Sequence, residues 1–206
     1  MKRKAENEDE ASPPPADSGS SDDIHIIGTD IYFHTAVTTD TVIDLIKKVR
    51  KLEDRLLKKA VDLPGYKPRI TIYIRSEGGD LYAGLSALDH LLNSKIRITT
   101  VADGICASAA TLILFGGSKR KMRKHAYVLI HQLLIEGGVC GGKIDELKDE
   151  VMHCDQLMTT MKNIYIEYAD IPKKKLNAIM KRDVYLSSEE CLKYGIVHEL
   201  ACRDTV

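Results

Sequence analysis

Arg69-Ile-Thr-Ile-Tyr-Ile-Arg75, followed at once by Ser76-Glu77-Gly78-Gly79-Asp80, is the stretch on which the fold turns. The first seven residues alternate and are rich in β-branched side chains, the pattern of a strand with a buried face. The next five carry two adjacent glycines, which let the backbone turn sharply and let another group approach closely. Leu81, Leu85, Leu88, Leu91 and Leu92 then recur at helical spacing. Strand, glycine turn and helix together make a βα unit.

The same alternation extends in both directions. Upstream, Ile24, Ile26, Ile27, Ile31, Tyr32 and Phe33 form short strand-like pieces broken at Gly28. Thr38, Thr39 and Asp40 offer N-cap oxygens to an amphipathic helix bearing Val42, Ile43, Leu45, Ile46, Val49, Leu52, Leu56 and Leu57. Leu63-Pro64-Gly65-Tyr66-Lys67-Pro68 ends it in a loop. Downstream, residues 96–101 read as a strand ending near Gly104. Residues 106–115 read as a buried helix of small and apolar residues, stopped by Gly116-Gly117. Tyr127-Val-Leu-Ile130 is a third strand, leading to His131. Gly137, Gly138, Gly141 and Gly142 precede a long helix over 143–168. Pro172 opens another helix as its first residue. Ser187 or Ser188 caps a last helix, Gly195 ends it, and Ile196-Val197 reads as a closing strand. Strands alternating with helices predict an α/β fold with a mostly parallel sheet, in one domain over residues 24–206.

Bulk properties narrow the function. The chain has 206 residues, 44% of them hydrophobic, enough for a packed core. Thirty Lys and Arg balance thirty Asp and Glu, so charge gives no reason to expect nucleic acid or an anionic membrane as partner. No apolar run approaches the roughly 20 residues that span a bilayer. Residues 1–23 contain no Leu, Ile, Val, Phe or Tyr, hold three of the six prolines at Pro13, Pro14 and Pro15, and carry more acid than base. That composition predicts a disordered acidic tail. It has no apolar core of a secretory signal, so a cytoplasmic or other soluble intracellular location is expected, and the tail is compatible with a viral or organellar source. Five cysteines, Cys106, Cys140, Cys154, Cys191 and Cys202, form no CxxC pair and no metal-ligand spacing, so free thiols and no metal are expected.

Three junctions past strands hold reactive or glycine residues, where an α/β fold gathers its ligands. Gly78-Gly79 could expose an N–H to an oxyanion, or be a plain tight turn. Ser108, among Ala107, Ala109 and Ala110 at a helix start, could be a nucleophile beside the free N–H of Ala109, or a small residue packed for close helix contact. His131 could be a base or a hydrogen-bonded structural residue. Asp183 could orient a histidine or be a solvated carboxylate. Taken singly, each has an ordinary structural explanation, and spacing alone does not bring them together.

In order, Gly78-Gly79, Ser108 among small residues, Ile130-His131-Gln132 and Arg182-Asp183-Val184-Tyr185-Leu186-Ser187 resemble the proteolytic subunit of the Clp protease (ClpP), a peptidase of the crotonase-like superfamily. The resemblance covers residues 30–200. It implies a crotonase/ClpP-like βα superhelix with a protruding handle helix, the handle region lying about residues 134–168. It implies Ser108 as nucleophile, His131 as general base and Asp183 as the residue orienting His131. The N–H groups of Gly79 and Ala109 would form the oxyanion hole, with Gly78 in the substrate-binding loop. It further implies self-association into a heptameric ring, stacking of two rings through the handle helices, and unfolded polypeptide as substrate. The unfolded chain would be fed by an AAA+ unfoldase. This chain has no GxxxxGK[ST], so ATP would be used by that partner and no cofactor is expected here. The acidic tail would lie at the axial pore. Departures from the family pattern are Glu77 for Pro, Ala109-Ala110 for Met-Gly, Leu133 for Pro, and a longer loop over 59–68. They bear on the substrate taken, not on the three side chains.

Other readings are a catalytically weak or inactive ring subunit, a crotonase-type acyl-CoA enzyme with Glu77 as its nearest acid, and a Ser-Lys dyad peptidase.

Overall fold

The computed structural model describes residues 24–134 and 143–201. The tail expected over 1–23, the glycine-rich stretch and Cys140 and Cys202 lie outside the described residues.

The sheet is built around β3 (Arg69–Ser76), in which Ile70, Ile72, Ile74 and Ser76 are buried and Arg69 and Arg75 are exposed, the two-residue period of a pleat. It pairs in parallel with β2 (Asp30–Phe33) on one side and with β4 (Arg97–Ala107) on the other. β1 (Ile24–Ile27) runs antiparallel to β2 at that edge. β4 serves two further neighbours in succession. Thr99 to Ala102 pair in parallel with β5 (Lys119–Met122), and Ile105 to Ala107 with β6 (Tyr127–Leu129). β7 (Tyr185–Leu186) lies antiparallel to β6, and β8 (Glu199–Leu200) parallel to β5. The architecture is mixed α/β with a largely parallel sheet.

Three helices share the core with one face of that sheet. α1 (Thr39–Asp62) contributes Val42, Leu45, Val49, Leu52 and Leu56, α2 (Leu81–Leu92) contributes Ala83, Ala87, Leu88 and Leu91, and every residue of α3 (Ala110–Phe115) is buried. Thr38 caps α1: its Oγ1 accepts from the Thr41 N–H, and Thr41 Oγ1 accepts from the Thr38 N–H, so two otherwise orphaned donors are satisfied. The opposite sheet face carries Tyr32 stacked on Tyr73 at 4.8 Å and Arg123 over the Tyr73 ring. After α3 the chain adds α4 (Ile144–Tyr168), α5 (Lys173–Met180) and α6 (Ser188–Lys193). α4 buries Met161 and Tyr165 near its C-terminal end, and its N-terminal half touches α2 through His153, whose ring lies 6.3 Å from that of Tyr82.

Four expectations need correction, and one strand was not anticipated. The strand expected to stop near Gly104 continues to Ala107, and the helix expected from Cys106 starts at Ala110. Small apolar residues suit either state, and pairing of Ile105, Cys106 and Ala107 with β6 decides it. Lys119-Arg-Lys-Met122 is a strand despite its charge. Its Arg120 points inward and donates to the carbonyls of Tyr168, Gly195 and Ile196. The closing strand is Glu199–Leu200: the Ile196 and Val197 N–H groups donate to the Cys191 carbonyl and finish α6 instead. Pro172 is the N-cap of α5, one residue before the position expected. Ser187, with Glu190, caps α6 as a capping box.

Candidate active site

Parallel strands that end side by side bring the loops leaving them to one place. β3, β4 and β6 end in this way: Ser76 pairs with Cys106, and Ala107 with Leu129. β7 enters this edge in the opposite sense, Tyr185 facing Leu129. Gly78-Gly79 leaves β3, Ser108 leaves β4, His131 lies two residues beyond Leu129, and Asp183 two residues before Tyr185. One end of four neighbouring strands therefore carries all the residues singled out from sequence. Further backbone bonds tie it. The Ser108 N–H donates to the Leu129 carbonyl at 2.9 Å, and the Gln132 N–H to the Met180 carbonyl at 2.9 Å. The Val184 N–H donates to the Arg182 carbonyl at 2.8 Å, which closes a three-residue turn centred on Asp183.

Gly78 must be a glycine. Its φ is +99°, and a Cβ there would lie 2.6 Å from Ser108 Cβ and 2.8 Å from the Ala107 carbonyl oxygen. The close approach that two glycines allow is thus an approach to the serine. Val37 holds the loop from the other side, its N–H donating to the Gly78 carbonyl and its carbonyl accepting from Asp80 N–H, both at 2.8 Å. Those bonds leave the Gly79 N–H without an acceptor among the described residues, and the same is true of the Ala109 N–H.

Ser108 has φ +53°, the one positive value at a non-glycine among the described residues. That conformation costs an L-residue about 1–2 kcal/mol, and such strain collects where a side chain must be presented in a fixed direction. Serine nucleophiles on a sharp strand-to-helix turn are held in this way. The hydroxyl stands at the end of β4 just ahead of α3, with the residue partly exposed, as is His131, while Asp183 is exposed. Among the described residues no hydrogen bond or ion pair joins the side chains of Ser108, His131 and Asp183. The backbone brings these three to one sheet edge, without linking their side chains.

The nearest thiol does not compete as a nucleophile. Cys106 is fully buried two residues before Ser108, and burial pushes its thiol well above the ordinary range, with Cys191 adding to the rise. Burial and Glu190 likewise push Cys191 up to about 12. Cys106, Cys154 and Cys191 are free. Among the described residues no group of three or more His, Cys, Asp or Glu gathers where it could hold a metal ion.

Two residues at this edge escaped the sequence reading. Thr111 Oγ1 donates to the Ser108 carbonyl at 2.6 Å, and the Tyr165 hydroxyl lies 2.6 Å from Thr111 Oγ1. A lone hydroxyl residue in the otherwise apolar Ala110-Thr-Leu-Ile-Leu-Phe115 was the available signal for Thr111. Tyr165 comes from α4, and nothing local marks it.

The model of the Clp protease family matches residues 31–204. The chain belongs to the Clp protease family. A relative from Deinococcus radiodurans, named ATP-dependent Clp protease proteolytic subunit, is 31% identical over 144 residues, which are 68% of this chain and 68% of that one. Proteins of the same name from Mesostigma viride and Oltmannsiellopsis viridis are 30% and 33% identical over 133 and 132 residues. Those matches cover 57% and 66% of the relatives' own lengths, so the chain spans little more than half of the Mesostigma protein. As a Clp protease family member the chain is a hydrolase of the serine endopeptidase class. No helix among its described residues is long and apolar enough to cross a membrane.

Proposed function

We propose that this Clp family subunit cleaves peptide bonds of unfolded polypeptides with Ser108 as nucleophile, His131 as general base and Asp183 as the group that orients His131. The observation that carries the reading is Ser108 itself, held at positive φ against Gly78 on the strand edge where β6 delivers His131 and β7 delivers Asp183. Ser108 Oγ attacks the scissile carbonyl while His131 takes its proton. His131 then returns that proton to the leaving amine, and water repeats the sequence on the acyl-enzyme. The negative charge on the tetrahedral intermediate needs donors, and the N–H groups of Gly79 and Ala109, which have no acceptor among the described residues, supply them. Each such donor typically contributes about 2.7–4 kcal/mol to lowering the barrier. Catalytic contacts of this kind are often loose without substrate and tighten in the complex, so closure of Ser108, His131 and Asp183 into hydrogen-bond reach accompanies substrate binding.

The subunit acts within a ring, heptameric and stacked in pairs through α4 as a handle, and receives unfolded chains from a Clp-type AAA+ ATPase that spends the ATP. The name shared by the relatives, ATP-dependent Clp protease proteolytic subunit, supports this division of labour. α4 supports the stacking, since its N-terminal half leaves Ile144, Val151 and Met152 exposed on a subunit considered alone.

A fluorophosphonate probe tests the nucleophile. The assembled protein incorporates one probe per subunit, Ser108→Ala incorporates none, and His131→Ala slows incorporation by about 10³-fold or more. Asp183→Asn keeps the probe site but lowers peptide turnover by about 10⁴-fold. Labelling that persists in Ser108→Ala would refute the assignment, and unimpaired His131→Ala would point to a lysine base instead.

A further inference from the structure

Ser108 and Ala109 share one peptide plane, and that plane is pinned from a single end. Its carbonyl oxygen, on Ser108, accepts the Thr111 N–H at 3.0 Å and the Thr111 hydroxyl at 2.6 Å, which uses both lone pairs. Its N–H, on Ala109, donates to nothing among the described residues. A trans peptide is planar, with carbonyl and N–H pointing in opposite directions. Whatever holds the carbonyl towards Thr111 therefore aims the Ala109 N–H the other way.

The hydroxyl chain has a fixed sense. A carbonyl cannot donate, so the single proton of Thr111 Oγ1 goes to Ser108, and the contact between Thr111 and Tyr165 must be a donation from the Tyr165 hydroxyl. Both side chains are fully buried, and Tyr165 is packed edge-on against Phe115 with ring centres 5.5 Å apart. Burial raises the Tyr165 phenol above its ordinary range, with the bond to Thr111 opposing the rise, so it stays a donor throughout the pH range of a peptidase. Chained hydroxyls polarise one another, which strengthens the grip on the carbonyl.

We propose that Thr111 and Tyr165 are positioning residues for peptide hydrolysis: their hydroxyls lock the Ser108–Ala109 peptide so that the Ala109 N–H meets the developing oxyanion. The proposal rests on Ser108 being the nucleophile. It also joins α4 to the reaction centre, since Tyr165 belongs to that helix.

The experiment uses the full-length assembled protein, with active sites counted by fluorophosphonate and turnover measured on a fluorogenic peptide. Complete loss of an oxyanion donor costs about 10²–10³ in kcat, so a donor kept but loosened costs less. Thr111→Val lowers kcat per labelled site by about 10-fold with KM within about twofold, because the interaction lost is made only in the transition state. It weakens a peptide boronate, which forms a tetrahedral adduct, by the same factor. Thr111→Ser restores both. Tyr165→Phe lowers kcat by about threefold, and Thr111→Val with Tyr165→Phe is no worse than Thr111→Val alone, as expected of one chain. The double variant also leaves no buried hydroxyl without a partner, so it serves where Thr111→Val is too unstable. Wild-type kcat per labelled site in either variant that lacks the Thr111 hydroxyl overturns the proposal. So does a Thr111→Ser as slow as Thr111→Val, or a loss that appears only in the number of labelled sites. Ser108→Ala separates the two levels: activity or labelling that survives it removes the nucleophile reading, whereas a dead Ser108→Ala beside an unimpaired Thr111→Val removes only this one.

Discussion

At position 78 a single methyl group is enough to disturb the site. In Gly78→Ala the new Cβ would lie 2.6 Å from Ser108 Cβ, and a non-glycine at φ +99° is strained whatever the space. Strain of that kind costs about 1–3 kcal/mol, and the close contact can be relieved only by moving Ser108. Gly78→Ala should therefore lower the urea midpoint modestly and fluorophosphonate labelling severely. Equal, small effects on both would show that Ser108 tolerates displacement. A second residue-scale prediction concerns pH. His198 Nδ1 accepts the Arg120 N–H at 3.1 Å, which requires an unprotonated Nδ1. Burial first, then Arg120 and Lys119, hold the imidazole below its ordinary value of 6.5, against a smaller upward pull from Glu199. His34 is lowered in the same sense by burial and Arg75, partly offset by Asp103. A depressed folded value means that the unfolded chain takes up protons first, so this contribution to stability is complete above 6.5 and is lost as pH falls through the lower folded values. The urea midpoint should fall between about pH 7 and about pH 5, and His198→Asn, whose amide oxygen accepts without titrating, should flatten part of that slope. A slope unchanged in His198→Asn would move the effect elsewhere, His34 being next.

Among the elements, β5 shows most plainly where sequence reading stops. α1 and α4 were legible because apolar residues recur at helical spacing over many turns, and β3 because its alternation is uninterrupted. Lys119-Arg-Lys-Met122 has the composition of a solvated loop. It becomes a strand because Arg120, 8% exposed, turns inward against the Phe115 ring and donates to three carbonyls, at 2.9 Å to Ile196, 2.6 Å to Tyr168 and 3.0 Å to Gly195. Those acceptors lie at the end of α4 and past α6, so no local window contains them. Arg120→Met keeps the volume but leaves the carbonyls without their donor, and should cost about 2–4 kcal/mol in urea unfolding. Arg120→Lys should recover little, since one ammonium cannot reproduce the fork of the guanidinium. A near-neutral Arg120→Met would mean that water replaces the arginine. The candidate site divides along the same line. Ser108, His131 and Asp183 could be named from their motifs, but their meeting depends on register, Ala107 against Leu129 and Leu129 against Tyr185, which the residues themselves do not state. Thr111 and Tyr165 are 54 positions apart, and their bond is a fact of packing alone.

For the molecule as a whole, the question is what covers α4. Ile144 is 72% exposed, Val151 58% and Met152 57%, and with Leu147 they lie along one side of the helix's N-terminal half, beside Lys148 and Asp155. Isolated exposed hydrophobics need no explanation, but a contiguous apolar stripe on a helix marks a surface that another surface covers. In the stacked-ring assembly proposed above, that surface would be the same stripe on a subunit of the facing ring, and every subunit would repeat the contact. Val151→Glu together with Met152→Glu would bury carboxylates against carboxylates at each of those contacts, and an unpaired buried charge is expensive enough to outweigh the apolar area gained. Sedimentation should then give half the assembled mass. One fluorophosphonate per subunit should still be incorporated, because Ser108, Gly78, Thr111 and Tyr165 all lie outside the altered half of α4. Loss of labelling together with loss of mass would mean that stacking is needed to complete the site, and dissociation all the way to single subunits would place the stripe within the ring. An unchanged mass would leave the stripe facing something other than a second copy of this chain.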